Sequence, residues 1–275
     1  MYQKSNKANN LQYELVSVII PTHNRCTYLM KAINSVINQT YKKIEIIVVD
    51  NDSTDNTKKA VSSLIKTRKI KYIYANTKHS PAYSRNIGIK NANGNLIAFL
   101  DDDDQWNKEK LDEQLPLFLD SNICLVFSNA KICGEKKKLH KPIAYGEHNC
   151  NNPYKQLINE NFITTSSVVV RKNALVNEGY FDEKLFSLED YDMWIRIAHS
   201  HKIDFVNKDL VRYYIHENSL SNVDKIKSFK QRCYLYYNLL KKNKIKKYRF
   251  LILKKYLKNR IYLYLLCLSK RFANK

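Results

Sequence analysis

The sequence predicts an α/β fold, a mostly parallel sheet flanked by helices. Three observations carry that expectation. Short, continuously apolar runs rich in Val and Ile recur at 16–21, 44–50 and 96–101, as strands covered on both faces require. Helical spacing occupies the segments between them. The links are short, so strand and helix alternate in the way that winds a parallel sheet.

Each element follows from its residues. VSVIIP at 16–21 is a β-branched strand closed by Pro21. The segment 28–38 sets Leu29, Ile33, Val36 and Ile37 at helical spacing. IEIIVVD at 44–50 is a second buried strand, and 53–65 opens with Ser, Thr and Asp suited to cap a helix. A weaker strand is expected at 71–75, a helix at 82–91 that stops near Gly94, and a fourth strand, LIAFLD, at 96–101. Beyond Trp106 the pattern loosens. A helix is expected at 108–119, strands at 123–128 and 166–171, a helix at 188–199, and short strands at 204–206 and 211–215. Residues 130–160 are polar and irregular, as functional loops are.

Composition narrows the chemistry. Of 275 residues, 44% are hydrophobic and 27% charged, ordinary globular values that exclude wholesale disorder. The five glycines (Gly88, Gly94, Gly134, Gly146, Gly179) never fall at the spacing of a dinucleotide fingerprint or a Walker loop. Any phosphate chemistry therefore uses another device. Six scattered cysteines without a CxxC pair argue for reduced thiols and no zinc site. The polar start, MYQKSNKANNLQYEL, lacks an apolar signal core. The apolar run at 261–268 falls far short of the ~20 residues that span a bilayer. A cytoplasmic location is expected.

The net charge of +21 is uneven. Residues 225–275 hold 17 Lys or Arg and no Asp or Glu, whereas residues 1–224 hold 30 basic against 26 acidic. A basic, aromatic-rich amphipathic helical tail suits an anionic membrane surface, at up to about 1 kcal/mol per nearby cation. Packing on the body and electrostatic nucleic-acid binding are the competing readings of the tail.

In parallel α/β sheets, ligands bind beyond the carboxyl ends of the strands. Here those ends read Pro21-Thr22-His23-Asn24, Asp50-Asn51-Asp52-Ser53 and Asp101-Asp102-Asp103-Asp104. Four adjacent carboxylates repel by roughly 1 kcal/mol per pair even in a water-like medium. A hard cation such as Mg²⁺ or Mn²⁺ relieves that repulsion, with a diphosphate completing its shell. On an extended segment Asp101 and Asp103 would face one site together.

Five segments, VSVIIPTHN at 16–24, IVVDNDSTDNT at 47–57, SRNIG at 84–88, IAFLDDDDQW at 97–106 and EDYDMWIR at 189–196, occur in this order and at these separations. Together they resemble the family 2 glycosyltransferases of the GT-A fold over about residues 15–220. The resemblance implies a polar extension at 1–14, a catalytic domain at 15–222 and the basic tail at 223–275. Within the domain, about 15–106 would bind nucleotide and about 107–222 would bind acceptor.

Residue by residue, Asp101 and Asp103 match the motif that holds metal and sugar nucleotide, Asp103 as direct ligand, while Asp102 reaches the ribose. Asp50, Asn51 and Asp52 match the segment that reads the base, with Asn51 standing where many uridine-using members carry an acid. His23, between Pro21 and Asn24, occupies a position where a ring stacks on the base, and Arg85 matches an arginine near the phosphates. His216 matches a histidine that approaches metal or diphosphate. Asp190 matches the catalytic base, a role needing a carboxylate within reach of the acceptor hydroxyl. Its neighbours Glu189 and Asp192 suit a helix N-terminus electrostatically.

The implied activity is metal-dependent (Mn²⁺ or Mg²⁺), inverting sugar transfer. The donor would be a nucleoside diphosphate sugar, with a UDP-sugar foremost, and the acceptor a hydroxyl of a glycan or lipid-linked glycan. Bacterial lipopolysaccharide, O-antigen or capsule synthesis is the implied setting, on the inner face of the cytoplasmic membrane. No nucleic acid partner is expected. A nucleotidyltransferase would want glycines after the first strand, which residues 22–25 lack. A nucleic-acid-binding protein acting through the tail would leave the acidic body unexplained.

Overall fold

The computed structural model describes residues 14–76, 80–134, 152–215, 224–242 and 246–273. Its strands are β1 (Val16–Thr22), β2 (Ile44–Asn51), β3 (Lys71–Ala75), β4 (Leu96–Phe99), β5 (Gln105–Trp106), β6 (Ile123–Cys133), β7 (Val169–Arg171) and β8 (Lys202–Tyr214). They form one sheet in the order β3-β2-β1-β4-β7-β6-β8-β5. The first four run parallel, as the apolar runs predict. β7 then lies antiparallel between β4 and β6, β8 runs parallel to β6, and β5 closes the edge antiparallel.

The helices are α1 (Cys26–Ile37), α2 (Thr57–Ala60), α3 (Ser62–Lys66), α4 (Pro81–Asn91), α5 (Lys110–Gln114), α6 (Pro153–Asn159), α7 (Lys172–Asn177), α8 (Glu189–Ser200), α9 (Lys225–Lys242) and α10 (Lys246–Ala273). The sheet separates two cores because alternate residues of each strand face opposite sides. Val18, Ile20 and Val48 pack with Leu29, Ile33 and Val36 of α1. Ile19, Ile47 and Phe99 pack with Ile89 of α4 and Met193, Trp194 and Ile197 of α8.

Gly88 marks a close helix-to-sheet approach. A Cβ there would stand 2.4 Å from Ile19 Cγ2, in the middle of β1. Gly88→Ala is expected to overpack this seam and cost about 1–3 kcal/mol. Thermal denaturation should show a drop of about 2–4 °C for each kcal/mol lost; an unchanged midpoint would mean the seam is looser than described.

Several expectations are corrected. The helix expected at 53–65 is two short turns, α2 and α3, parted at Val61 (φ −90°, ψ 0°), and it starts only at Thr57, where Asp55 accepts from Thr57 N at 2.9 Å and from Cys26 N at 3.3 Å. The helix expected at 108–119 is α5 followed by a 3₁₀ turn, Leu115–Leu119. The two strands expected between 204 and 215 are one bulged strand, β8. Residues 166–171 begin in a 3₁₀ turn, Thr165–Ser167, before β7. Within 130–160, β6 continues to Cys133 and α6 occupies Pro153–Asn159; 135–151 lie outside the described residues.

The tail forms α9 and α10, whose Leu235, Tyr236, Leu239 and Ile252 join the larger core. Tyr236 OH donates to Ile158 O at 3.0 Å, and Gln231 Oε1 accepts from Phe186 N at 2.8 Å. Packing on the body is therefore part of what the tail does. Phe250, Leu253, Leu257, Ile261 and Tyr264 of α10 remain exposed. No helix among the described residues is long and apolar enough to cross a membrane.

Candidate active site

The carboxyl ends of β1, β2 and β4 open on one side of a cleft of about 570 Å³, and the start of α8 forms the other. Pro21, His23, Asn51, Arg85, Asp101, Asp102, Asp103 and Asp190 all line it. Three predicted residues are not part of its lining. Asp50 is buried, accepting from Ser53 N at 2.9 Å and from the Tyr72 hydroxyl. Asp52, with φ 61°, accepts from Tyr74 OH at 2.6 Å. Asn24, with φ 54°, knots two loops by accepting from Thr54 N at 2.7 Å and Asp55 N at 3.2 Å. His23 Nδ1 lies 2.7 Å from Asn51 O, so its proton sits on Nδ1 and the ring is held at the cleft rim. His216 lies outside the described residues.

β4 stops at Phe99, and Asp101–Asp104 forms a turn closed by Asp104 N donating to Asp101 O at 3.0 Å. The extended geometry expected for Asp101 and Asp103 is thus replaced by a turn in which different arginines hold them. Arg85 Nη2 lies 2.7 Å from Asp101 Oδ1, and its Nη1 lies 2.7 Å from Glu189 Oε1. Arg25 Nη1 reaches Asp103 Oδ2 at 2.7 Å and Asp102 Oδ1 at 3.1 Å. Thr22 donates to Asp102 Oδ2 at 2.7 Å. Buried Asp104 accepts from Ser166 Oγ at 2.6 Å and Tyr214 N at 3.1 Å.

On the opposite wall, Asp190 Oδ2 accepts from Thr165 Oγ1 at 2.8 Å and Oδ1 from Tyr191 N at 2.6 Å. Thr165 and Ser166 thus tie both walls to one turn. Trp106 lies beneath it, donating from Nε1 to Ser166 O at 2.7 Å. Arg25, Thr165 and Ser166 escaped the sequence reading. Only Arg25 carried a signal there, as the cation directly after the first strand's polar end.

Burial dominates the electrostatics. It pushes the Asp102 carboxyl up to about 7, with Asp103 adding and Arg25 opposing. It also pushes Glu189 to about 7, opposed by Arg85 and reinforced by Asp190. Asp190 rises through burial, against the pull of Arg85 and the Thr165 hydrogen bond. Burial alone would lower Arg85, but Asp101 and Glu189 hold its guanidinium charged.

The cluster fits a divalent cation. Among the described residues, Asp101–Asp104, Glu189 and Asp190 are ion-paired by only two arginines, Arg25 and Arg85, and buried Glu189 Oε2 has no hydrogen-bond partner. Carboxylate oxygens suit Mg²⁺ or Mn²⁺. Among the described residues no three His, Cys, Asp or Glu side chains converge into a ready cage. One or two carboxylates with phosphate and water is the usual Mg²⁺ arrangement.

A mostly parallel sheet with acidic strand ends, flanked by helices and faced across one cleft by the start of α8, has the GT-A class of fold. Solved structures share it. The TarS 1–349 structure from S. aureus in complex with UDP-GlcNAc superposes with TM-score 0.73 over 90% of this chain and 73% of that one, at 22% identity. The mannosyltransferase PcManGT from Pyrobaculum calidifontis, in complex with GDP-Man and Mn²⁺, gives 0.65 over 92% and 70%, at 18% identity. The sequence profile of glycosyl transferase family 2 matches residues 17–184, and the chain belongs to that family.

Among relatives, an uncharacterized glycosyltransferase of Rickettsia felis is 36% identical over 200 residues, 73% of this chain and 33% of its own length. The chain thus spans about a third of the relatives of that kind. Escherichia coli WfgD, a UDP-Glc:alpha-D-GlcNAc-diphosphoundecaprenol beta-1,3-glucosyltransferase, is 31% identical over 220 residues, 79% of this chain and 83% of its own.

Proposed function

We propose that this chain is an inverting glycosyltransferase. It moves a sugar from a nucleoside diphosphate sugar, with UDP as the nucleotide, to a hydroxyl of a lipid-linked bacterial glycan. The observation that carries the reading is the Asp101–Arg85–Glu189 bridge. It holds the acidic turn and Asp190 on facing walls of one cleft. The names of WfgD and of the TarS complex support a UDP-sugar donor, and that of WfgD a lipid-linked acceptor.

In this mechanism the acceptor hydroxyl donates to Asp190, whose carboxylate takes the proton as the oxygen attacks the anomeric carbon. Attack from the face opposite the leaving diphosphate inverts the configuration. Thr165 holds the carboxylate of Asp190 in place, and Arg85 keeps Glu189 from competing as acceptor. Asp103 and Asp101 would hold Mn²⁺ or Mg²⁺, which when bound neutralises charge on the leaving diphosphate. Residues 15–222 form the catalytic unit in this reading, and the tail meets an anionic, cytoplasm-facing membrane surface through the exposed apolar residues of α10 and their flanking cations. Flotation of the full chain with anionic but not neutral liposomes is the expected result; equal flotation after removal of the cations would sink that assignment.

Thermal stabilisation by UDP, GDP, CDP and ADP, each with Mn²⁺ or with EDTA, tests the donor site. A nucleotide at about 100 times its Kd adds about 2.7 kcal/mol, several degrees in Tm. A metal-dependent shift with UDP, lost in Asp103→Ala, is expected. No shift with any nucleotide would overturn the reading.

The pH dependence follows from Asp190. The base works ionised, and its folded pKa is raised above the usual aspartate value of 3.8. Activity should therefore fall as pH drops through that raised pKa, earlier than for an exposed aspartate. Thr165→Val removes a hydrogen bond to the ionised form and should move the acid limb of kcat/KM to higher pH, with Thr165→Ser restoring it. An unmoved limb would remove Thr165 from the mechanism.

A further inference from the structure

The acidic turn on one side of the cleft is matched to arginines of the body, but part of the cleft's lining comes from the tail. Ser228 and Arg232 of α9 line the cleft together with Phe186, Ser187 and Asp190. α9 is fixed there. Gln231 Oε1 accepts from Phe186 N at 2.8 Å, Tyr234 OH donates to Asp182 Oδ2 at 3.0 Å, and Leu235 is fully buried. Lys227 Nζ stands 4.1 Å from the centre of the ring of Phe186, a second cation beside a cleft-lining side chain.

Arg25 and Arg85 are each held by two carboxylates. Arg232 is exposed and has no ion-pair partner among the described residues; its guanidinium lies 5.7 Å from the Phe229 ring. A planar, always charged fork in the lining of a cleft, with a hydroxyl and a lysine near it on the same helix, is suited to a phosphate oxyanion. The donor's diphosphate belongs at the acidic turn, on the other wall. An anion bound at α9 as well would therefore have to come from the acceptor.

We propose that Arg232, with Ser228 and Lys227, binds a diphosphate carried by the acceptor and so selects acceptors whose sugar is linked through diphosphate. This deepens the transferase reading and rests on it. It also gives the tail a role in the cleft: the basic helices that meet a membrane present the charged link of a lipid-borne acceptor to Asp190.

The test is a binding titration of the full chain, with UDP and Mg²⁺ held in excess, using three probes: octyl diphosphate, inorganic pyrophosphate and uncharged octyl glucoside. Octyl diphosphate should bind, and Arg232→Gln should weaken it about tenfold or more, since a charge-assisted fork is lost. Arg232→Lys should recover part of the affinity. Octyl glucoside should be indifferent to Arg232. Pyrophosphate binding as tightly as octyl diphosphate, with the same Arg232 dependence, would place recognition in the diphosphate alone; weaker binding would assign part of it to the lipid.

Failure of the wild-type chain to bind octyl diphosphate, or equal binding by Arg232→Gln, would overturn the proposal. So would an equal loss in Lys66→Ala, an exposed cation away from the cleft, because the effect would then be bulk charge. UDP affinity is read separately in the same variants. Loss of UDP binding by the wild-type chain would instead strike the transferase reading.

Discussion

Asp190→Asn is expected to bind UDP as the wild type does and to lose transfer by about 10²–10⁴-fold in kcat, the range a positioned general base contributes. The amide keeps the shape of the carboxylate: its single oxygen can accept from Tyr191 N while its NH2 donates to the Thr165 hydroxyl, which turns round to accept, so the local fold should hold. What it lacks is the ability to take a proton. Removing the charge also relieves Glu189, whose carboxyl Asp190 helps to push up. The measurement is sugar transfer under saturating donor, paired with the UDP-dependent Tm shift. Activity within tenfold of wild type would show that Asp190 is not the base. Should Glu189→Gln then abolish transfer with UDP binding intact, the role passes to Glu189.

The second large effect is on stability. Arg85 is buried and joins Asp101 to Glu189. Truncating one member of a buried ion pair leaves the other charge unmatched and costs about 3–5 kcal/mol. Arg85→Ala should therefore lower Tm by on the order of 10 °C, and it should do so unevenly with pH. Glu189 has its folded pKa raised to about 7 from 4.5. A carboxyl shifted upward stabilises the fold while protonated, and that stability is lost as pH rises through the folded pKa. Without Arg85 the shift grows, so the defect should be largest above pH 7 and partly relieved near pH 5. Denaturation at both pH values checks this. Equal stability of variant and wild type at pH 8 would mean that the bridge contributes nothing.

These two residues also show how far the sequence could be read. Asp190 was legible as a candidate through the resemblance of EDYDMWIR at 189–196 to the family's motif, whereas its place at a helix start by itself did not separate it from Glu189 and Asp192. Arg85 was legible as a site residue, but its partner was not. Glu189 is 104 positions away, and nothing local states that the two meet. The same holds for Arg25 with Asp102 and Asp103, 77 and 78 positions apart. The acidic run itself was visible; that it turns rather than extends depends on Ser166, which accepts from Asp101 N and donates to Asp104 from a distant turn.

The sequence alone determined the parallel half of the sheet and the chemistry at its edge. β1, β2 and β4 are apolar runs whose burial is demanded wherever they go, and each hands its polar end to the same side once the strands run parallel. Tertiary structure decided which charges neutralise one another, which acids line the cleft and which do not. It also decided that a basic tail packs its Leu235 and Ile252 into the core while Arg232 lines the cleft. The reason is the range of the forces involved. Strand and helix preferences act over a few residues, whereas ion pairing and desolvation depend on which distant segments the chain path brings within a few ångströms.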